Sequence, residues 1–346
     1  MKRMLVFVVV ALVFLSGCVS DESTEEIQTN SYIGIVTSAY AGSLPSLVYE
    51  GESIPMQFLV ENQGDYDINA GAYFLKIKGI NPSAFKNLNS RDLKASSTTD
   101  MASLSAFGEE TIVRGEEVIS ISDNACYTND LENDLNLNIH AKSCYTYGTV
   151  SSAPACFVKI SGNGDGLCSP SEFKPVTNTI APLIVTELAQ SPAGETSEGY
   201  SKYRFRVKVE NLGAGDIFSN SVAVKKCDDL KSGEENLVFI DSVTLDGQTL
   251  DKDILFYEGG VTTASDYYLS GTEEVDGITV PLYVMKELSG FRLDSNGAGR
   301  FSFIIVQKED IEFVGDLDIA LGYAYTQTDV FTTTIKALPD QEPNCS

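Results

Sequence analysis

Apolar positions in this chain recur with a period of two. Phe205, Val207 and Val209 alternate with Arg204, Arg206, Lys208 and Glu210, the pattern of a strand with one buried and one wet face. Met56, Phe58 and Val60 stand in the same phase earlier in the chain. Both segments run into Asn-x-Gly, at Asn62-Gln63-Gly64 and Asn211-Leu212-Gly213. There the Asn side chain can bond local backbone and Gly permits positive φ, so a turn is expected at each. Phe301, Phe303 and Ile305 alternate after Asn296-Gly297-Ala298-Gly299, and Leu317, Ile319 and Leu321 alternate before Gly322. Asp246-Gly247 and Asp276-Gly277 are hairpin-turn signals. The one helical turn suggested is 281–288, PLYVMKEL. Short strands, frequent turns and no long amphipathic stretch predict an all-β fold.

The pattern repeats along the chain. Ile35-Val36-Thr37 recurs as Ile184-Val185-Thr186, Val60-Glu61-Asn62 as Val209-Glu210-Asn211, Gly64 as Gly213, and Asp67-Ile68 as Asp216-Ile217, always 149 positions on. One offset kept over four separated matches points to two copies of one unit, 31–180 and 181–346. Tyr145-Thr146-Tyr147 answers Tyr323-Ala324-Tyr325 at an offset of 178, so the second copy carries 178 − 149 = 29 extra residues, an insertion placed near 243–290. Two tandem antiparallel β-sandwiches follow as the expectation, with additional hairpins or a small subdomain in 85–125 and 230–295. The segments FLVENQGDYDI (58–68) and FRVKVENLGAGDI (205–217) resemble the Ig-like, adhesion-related domains called CARDB, found in tandem on bacterial and archaeal surfaces. Each copy here is longer than that family's usual sandwich. The resemblance implies two Ig-like domains with adhesion, stalk or assembly roles.

The first 18 residues are built differently. Lys2 and Arg3 precede an apolar run of 12 residues, 4–15, and then Ser16-Gly17-Cys18. At about 1.5 Å per residue this run falls short of a hydrocarbon layer of about 30 Å, so it reads as a secretory signal rather than a permanent span. Leu15-Ser16-Gly17-Cys18 resembles a lipobox, which implies diacylation of Cys18 and attachment to the outer face of the cell membrane. Residues 19–30 are polar and acidic, as expected of a tether.

Charge narrows the partners. The chain has 24 basic and 49 acidic residues, a formal charge of −25, and removal of Lys2 and Arg3 with the signal leaves 22 against 49, or −27. Such a surface repels phosphate backbones, so no nucleic-acid partner is expected. A single His leaves little room for imidazole metal sites or a Ser-His-Asp triad. That residue, His140, sits outward of Ile139 by alternation, on a wet strand face.

With Cys18 assigned to lipid, Cys126, Cys144, Cys156, Cys168, Cys227 and Cys345 remain, an even number with no CxxC pair, favouring three disulfides in an exported chain. Local closure and a tethered tail favour Cys126 with Cys144, Cys156 with Cys168, and Cys227 with Cys345. Asn344-Cys345-Ser346 matches a glycosylation acceptor, but its middle residue is assigned to a disulfide, which argues against modification.

Two ligand sites suggest themselves. Ser161, Asn163, Asp165 and Glu172 stand at positions 1, 3, 5 and 12 of an EF-hand-like spacing with Gly166 at position 6, making calcium the candidate cofactor. The competing reading is a Gly-rich turn closed by Cys156 and Cys168. Tyr267 and Tyr268 in the insertion are candidates for stacking on a glycan, whereas Tyr145, Tyr147, Tyr323 and Tyr325 are expected to pack beside the core. No carboxylate pair stands out for a hydrolase; Glu234-Glu235 and Glu309-Asp310 read as solvated surface. The expected function is therefore non-enzymatic. A lipid-anchored surface protein would act by contact with another surface protein or with itself, with glycan or calcium binding as the alternative and a carboxylate hydrolase as the third choice.

Overall fold

Alternation becomes strand throughout. The first half contains β1 (Ile35–Ala39), β2 (Leu47–Tyr49), β3 (Ser53–Asn62), β4 (Tyr73–Lys78), β5 (Phe85–Lys86), β6 (Lys94–Ser96), β7 (Glu116–Tyr127), β8 (Leu135–Phe157), β9 (Glu172–Lys174) and β10 (Thr177–Asn178). The second contains β11 (Leu183–Glu195), β12 (Ser201–Asn211), β13 (Asp216–Phe218), β14 (Leu237–Leu245), β15 (Gln248–Thr249), β16 (Leu255–Glu258), β17 (Thr262–Val275), β18 (Ile278–Arg292), β19 (Ala298–Gln307) and β20 (Phe313–Lys336). This computed structural model describes residues 32–103, 115–159, 168–231, 233–250, 255–258, 262–275, 278–308, 312–338 and 343–345, with backbone alone at 256–258, 262–275 and 278–289. Residues 32–346 cluster as one compact unit. The chain is all-β: among the described residues the only helical pieces are short 3₁₀ turns at Pro82–Ala84 and Val224–Lys226.

The expected helical turn at 281–288 is instead part of β18. Its backbone pairs with β17 from Thr272↔Pro281 to Ala264↔Leu288. A ladder supplies hydrogen bonds along the whole segment, whereas a helix of eight residues is marginal in water.

β3 buries Ile54, Met56, Phe58 and Val60, and β12 buries Tyr203, Phe205, Val207 and Val209. Three sheets result, ordered β1-β3-β7-β5, β17-β18-β14-β20-β8-β4-β6 and β16-β19-β12-β11-β9, with β2, β10, β13 and β15 attached to the middle one. β8 and β20 pair antiparallel from Leu135↔Ile335 to Phe157↔Phe313. At the centre Thr146 faces Ala324, flanked by Tyr145↔Tyr325 and Tyr147↔Tyr323. Exchanging the two repeat copies maps this ladder onto itself, which places an internal two-fold at the Thr146–Ala324 pair. β1-β3-β7-β5 then corresponds to β11-β12-β19-β16, and β4 with β6 beside β8 corresponds to β14 with β18 beside β20. The copies thus share the middle sheet. Phe331, late in β20, meets Phe58 of β3 at 5.5 Å, while Phe157, at the end of β8, meets Tyr203 of β12 at 5.2 Å. Burying each such ring is worth roughly 1.5–3 kcal/mol.

The Asn-x-Gly segments behave as a pair. Asn62 Oδ1 accepts from Gly64 N and Asn211 Oδ1 from Gly213 N, both at 3.2 Å. Asn62 Nδ2 donates to Tyr66 O and Asn211 Nδ2 to Gly215 O, both at 2.8 Å. The Asn role is as expected, but the Gly role differs, because neither Gly64 nor Gly213 has positive φ. A Cβ at Gly64 would stand 1.9 Å from Tyr147 Oη, and one at Gly213 2.3 Å from Tyr325 Oη. Close approach of a tyrosine hydroxyl is what excludes a side chain. The Asp246-Gly247 signal does form a hairpin turn, with φ of 49° and 74°, between β14 and β15. Asp276-Gly277 lies outside the described residues, between the paired Val275 and Ile278.

All six remaining cysteines are bridged, as Cys126–Cys345, Cys144–Cys227 and Cys156–Cys168. The last pair is as expected; the other two expected pairings are corrected. Cys144 and Tyr145 point to opposite faces of β8. Tyr145 faces the β1 side, where its hydroxyl accepts from Ile35 N, so Cys144 faces the other way, into a small cluster with Phe74, Phe218, Val222, Val224, Cys227 and Ala324. Cys126 lies on β7, in the sheet that contains β1, and is left for the C-terminal tail.

Candidate functional site

The four repeat-related tyrosines form part of the core. Tyr145, Tyr147, Tyr323 and Tyr325 are all buried, with ring centroids 5.6 Å apart for Tyr145–Tyr325 and 6.3 Å for Tyr147–Tyr323. Their hydroxyls are committed. That of Tyr325 accepts from Gly215 N at 2.6 Å, and that of Tyr323 lies 3.1 Å from Thr149 Oγ1. Tyr73 completes the group, sharing a hydroxyl triangle with Thr37 and Ser143 at 2.8–2.9 Å. Burial, only partly offset by these bonds, pushes the Tyr73 and Tyr325 phenols up to about 12. These rings have no face left for a sugar.

Other sequence-predicted residues are scattered. Cys18, Ser161, Asn163 and Asp165 lie outside the described residues. Glu172 opens β9, where its carboxylate accepts from Lys174 Nζ at 2.6 Å. No group of three or more metal-capable side chains occurs among the described residues. Tyr267 and Tyr268 fall in β17, in register with Met285 and Val284 of β18, and their side chains are outside the description. His140 is partly buried on β8, opposite Lys78 of β4. Glu234 accepts from Lys231 N at 2.6 Å and Glu235 is exposed; Glu309 and Asp310 are outside the described residues.

Three features carry more than core packing. The insertion forms the β17–β18 hairpin. β18 joins β14 only from Leu237↔Arg292 to Ile240↔Ser289, so residues 278–288 pair with β17 alone. At about 3.4 Å per residue, that is a two-stranded arm of about 35 Å. β17 ends the middle sheet, and no described strand pairs with its outer edge.

An open groove of about 530 Å³ lies on the outer face of the β9–β11–β12–β19 region. Phe173, Ala189, Arg206 and Ser302 form one cross-strand row, and Glu187, Lys208 and Arg300 the next. Phe173 is 73% exposed. Lys208 is held by Glu187 at 3.3 Å and Glu210 at 3.0 Å. Arg206 and Arg300 are exposed, and Phe173 stands two strand spacings, about 10 Å, from Arg206. Sequence reading assigned Arg206 and Lys208 to a wet face but missed Phe173, whose three-residue strand shows no alternation.

The third feature is cationic. On the outer face of the middle sheet, Asp228 accepts from Lys76, from Lys78 at 2.9 Å and from Lys142 at 2.6 Å. Burial disfavours the charged carboxylate, but the three lysine hydrogen bonds outweigh it and hold Asp228 well below the usual carboxylate range.

No protein-family model matches the chain, and no curated protein sequence matches it. Among solved structures, envelope protein VP37 of White Spot Syndrome Virus is similar over 53% of this chain and 98% of its own, at 11% identity and a TM-score of 0.18. A similarity that weak carries no argument about function. Three disulfides suit an oxidising, extracellular setting. No helix among the described residues is long and apolar enough to cross a membrane.

Proposed function

We propose that this chain is an exported surface lipoprotein, tethered through Cys18, whose two Ig-like, CARDB-like units are fused through a shared sheet, and that it acts by protein contact rather than catalysis. The observation that carries this reading is the β17–β18 arm. A hairpin with no third strand is marginal in water, and an open edge offers unpaired N–H and C=O groups to an incoming strand. β17 contains no proline along its length, while Pro281 removes one donor from β18. β17 is therefore the edge with a complete set of backbone donors, and strand addition there, by a second copy or another surface protein, is the proposed contact. Light scattering coupled to size exclusion on the oxidised chain, with and without residues 263–288, tests it. The arm should be required for self-association or for attachment to cell-surface preparations; unchanged behaviour of the deletion in both assays would sink the reading.

The groove favours a second reading, glycan binding. An exposed Phe ring can stack on the C–H face of a pyranose, and Arg forks read carboxylates bidentately. An acidic sugar is the matching ligand, and Phe173→Ala should abolish its binding while leaving arm-dependent contact intact.

A further inference from the structure

The lysine cluster around Asp228 combines features that a solvated surface does not need. Lys94, Lys76 and Lys142 are direct neighbours across β6, β4 and β8, and Lys78 lies two residues along β4 on the same face. Like charges placed opposite one another on a sheet are destabilising. In a chain of formal charge −25, acidic residues outnumber basic ones by about two to one, yet three ammonium groups converge here on one carboxylate. That leaves a formal charge of +2 before Lys94 is counted. Asp228 is also anchored, because Cys227 beside it is bridged to Cys144, two residues from Lys142 on β8. The 3₁₀ turn before it brings Lys225 and Lys226 to the same region, both exposed. The cluster is reachable, with side-chain exposures of 27% for Lys76, 46% for Lys78 and 18% for Lys142.

We propose that this face of β4, β6 and β8 binds a doubly charged tetrahedral oxyanion, a phosphate or phosphate monoester, through Lys76, Lys78, Lys94 and Lys142. The cluster contains no arginine, so it lacks the planar fork that fits a carboxylate and presents point charges that suit a tetrahedral group. A dianion matches the two positive charges by which Lys76, Lys78 and Lys142 exceed Asp228. Asp228 holds the ammonium groups together in the meantime and competes with the ligand.

Calorimetric titration of the full oxidised chain with inorganic phosphate and with glycerol phosphate, at low salt near pH 8, tests the site. Wild type should show saturable binding. Lys142→Gln should weaken it by about tenfold or more, which is about 1.4 kcal/mol. Asp228→Asn should tighten it by removing the competing charge. Lys202→Gln, which removes a sheet-face lysine on β12, in a different sheet, should leave it unchanged. Equal affinity for the two probes would identify the free anion as the ligand, and preference for glycerol phosphate an ester on a larger molecule. Absence of saturable heat in wild type would overturn the proposal, as would equal weakening by Lys142→Gln and Lys202→Gln, which is the signature of diffuse attraction. Near-UV circular dichroism checks that Asp228→Asn folds; if it does not, Lys142→Gln against Lys202→Gln still decides.

Discussion

The two copies of the repeat are alike at the centre and unlike at the rim. At the centre, Asn62 and Asn211 make the same two bonds, Gly64 and Gly213 make room for equivalent tyrosines, and β8 and β20 cross in register about one pair. At the rim, the middle sheet closes beside the first copy with β6, three residues long, while beside the second it continues through β18 into the 14-residue β17. A short, lysine-bearing edge strand resists further pairing; a long unpaired one invites it. The same architecture thus carries a blunt edge and an open edge, and the insertion decides which is which. The comparison teaches that shared core geometry can be kept while an open strand edge is placed in what was added outside it.

The central likeness breaks first at high pH. Tyr73, Tyr145, Tyr147, Tyr323 and Tyr325 all have phenol pKa values raised by burial. A raised folded pKa means that their contribution is fully present below the unfolded value near 10 and is lost as pH climbs towards the folded values. Each group loses up to about 1.4 kcal/mol per pH unit above 10. Five together approach a whole domain's stability within about one unit. From pH 9 to 12, the part of the 295 nm absorbance rise that belongs to these five tyrosines should come together with the loss of far-ultraviolet circular dichroism, in one steep step. Gradual ionisation of all the tyrosines with the fold intact would contradict their burial.

Disulfides separate the parts of the molecule more finely. Cys126–Cys345 closes a separation of 219 residues and Cys156–Cys168 one of 12. Chain entropy assigns the first about 5 kcal/mol and the second about 3 kcal/mol. Denaturant melts of the Cys126→Ala/Cys345→Ala and Cys156→Ala/Cys168→Ala double variants should preserve that order.

A milder contrast tests the internal two-fold. Gly64→Ala would bring its Cβ against Tyr147 Oη and within 2.6 Å of Ile180 O, whereas Gly213→Ala would meet Tyr325 Oη and, at 2.7 Å, Pro182 Cβ. Both should cost on the order of 1–3 kcal/mol, with Gly64→Ala the worse because a backbone carbonyl yields less than a side chain. A Tm drop at one glycine and none at the other would show that the two sites are not equivalent.

Much of this was legible from residues alone. Period-two alternation gave the strands, and a constant offset of 149 gave the duplication that the paired Asn62 and Asn211 bonds display in three dimensions. Even the split between wet and buried faces of β12 could be read directly. The cysteine pairing could not, beyond the local Cys156–Cys168 bridge, because sequence distance says nothing about which face of β8 Cys144 occupies relative to Cys126. Segment 281–288 misled for a related reason: helix and strand preferences are local and weak there, and the ladder to β17 overrides them.

What the sequence determined by itself is whatever depends on neighbours along the chain, namely strand phase, turn residues, repeat offset and acidic charge. Tertiary structure alone decided that the copies share β8 and β20, that Gly64 and Gly213 serve tyrosine hydroxyls rather than backbone angles, and that Lys76, Lys142 and Asp228 meet. Those contacts join residues 66 to 200 positions apart, and strand pairing across such distances follows from the summed burial of two sheet faces. No single residue announces that sum.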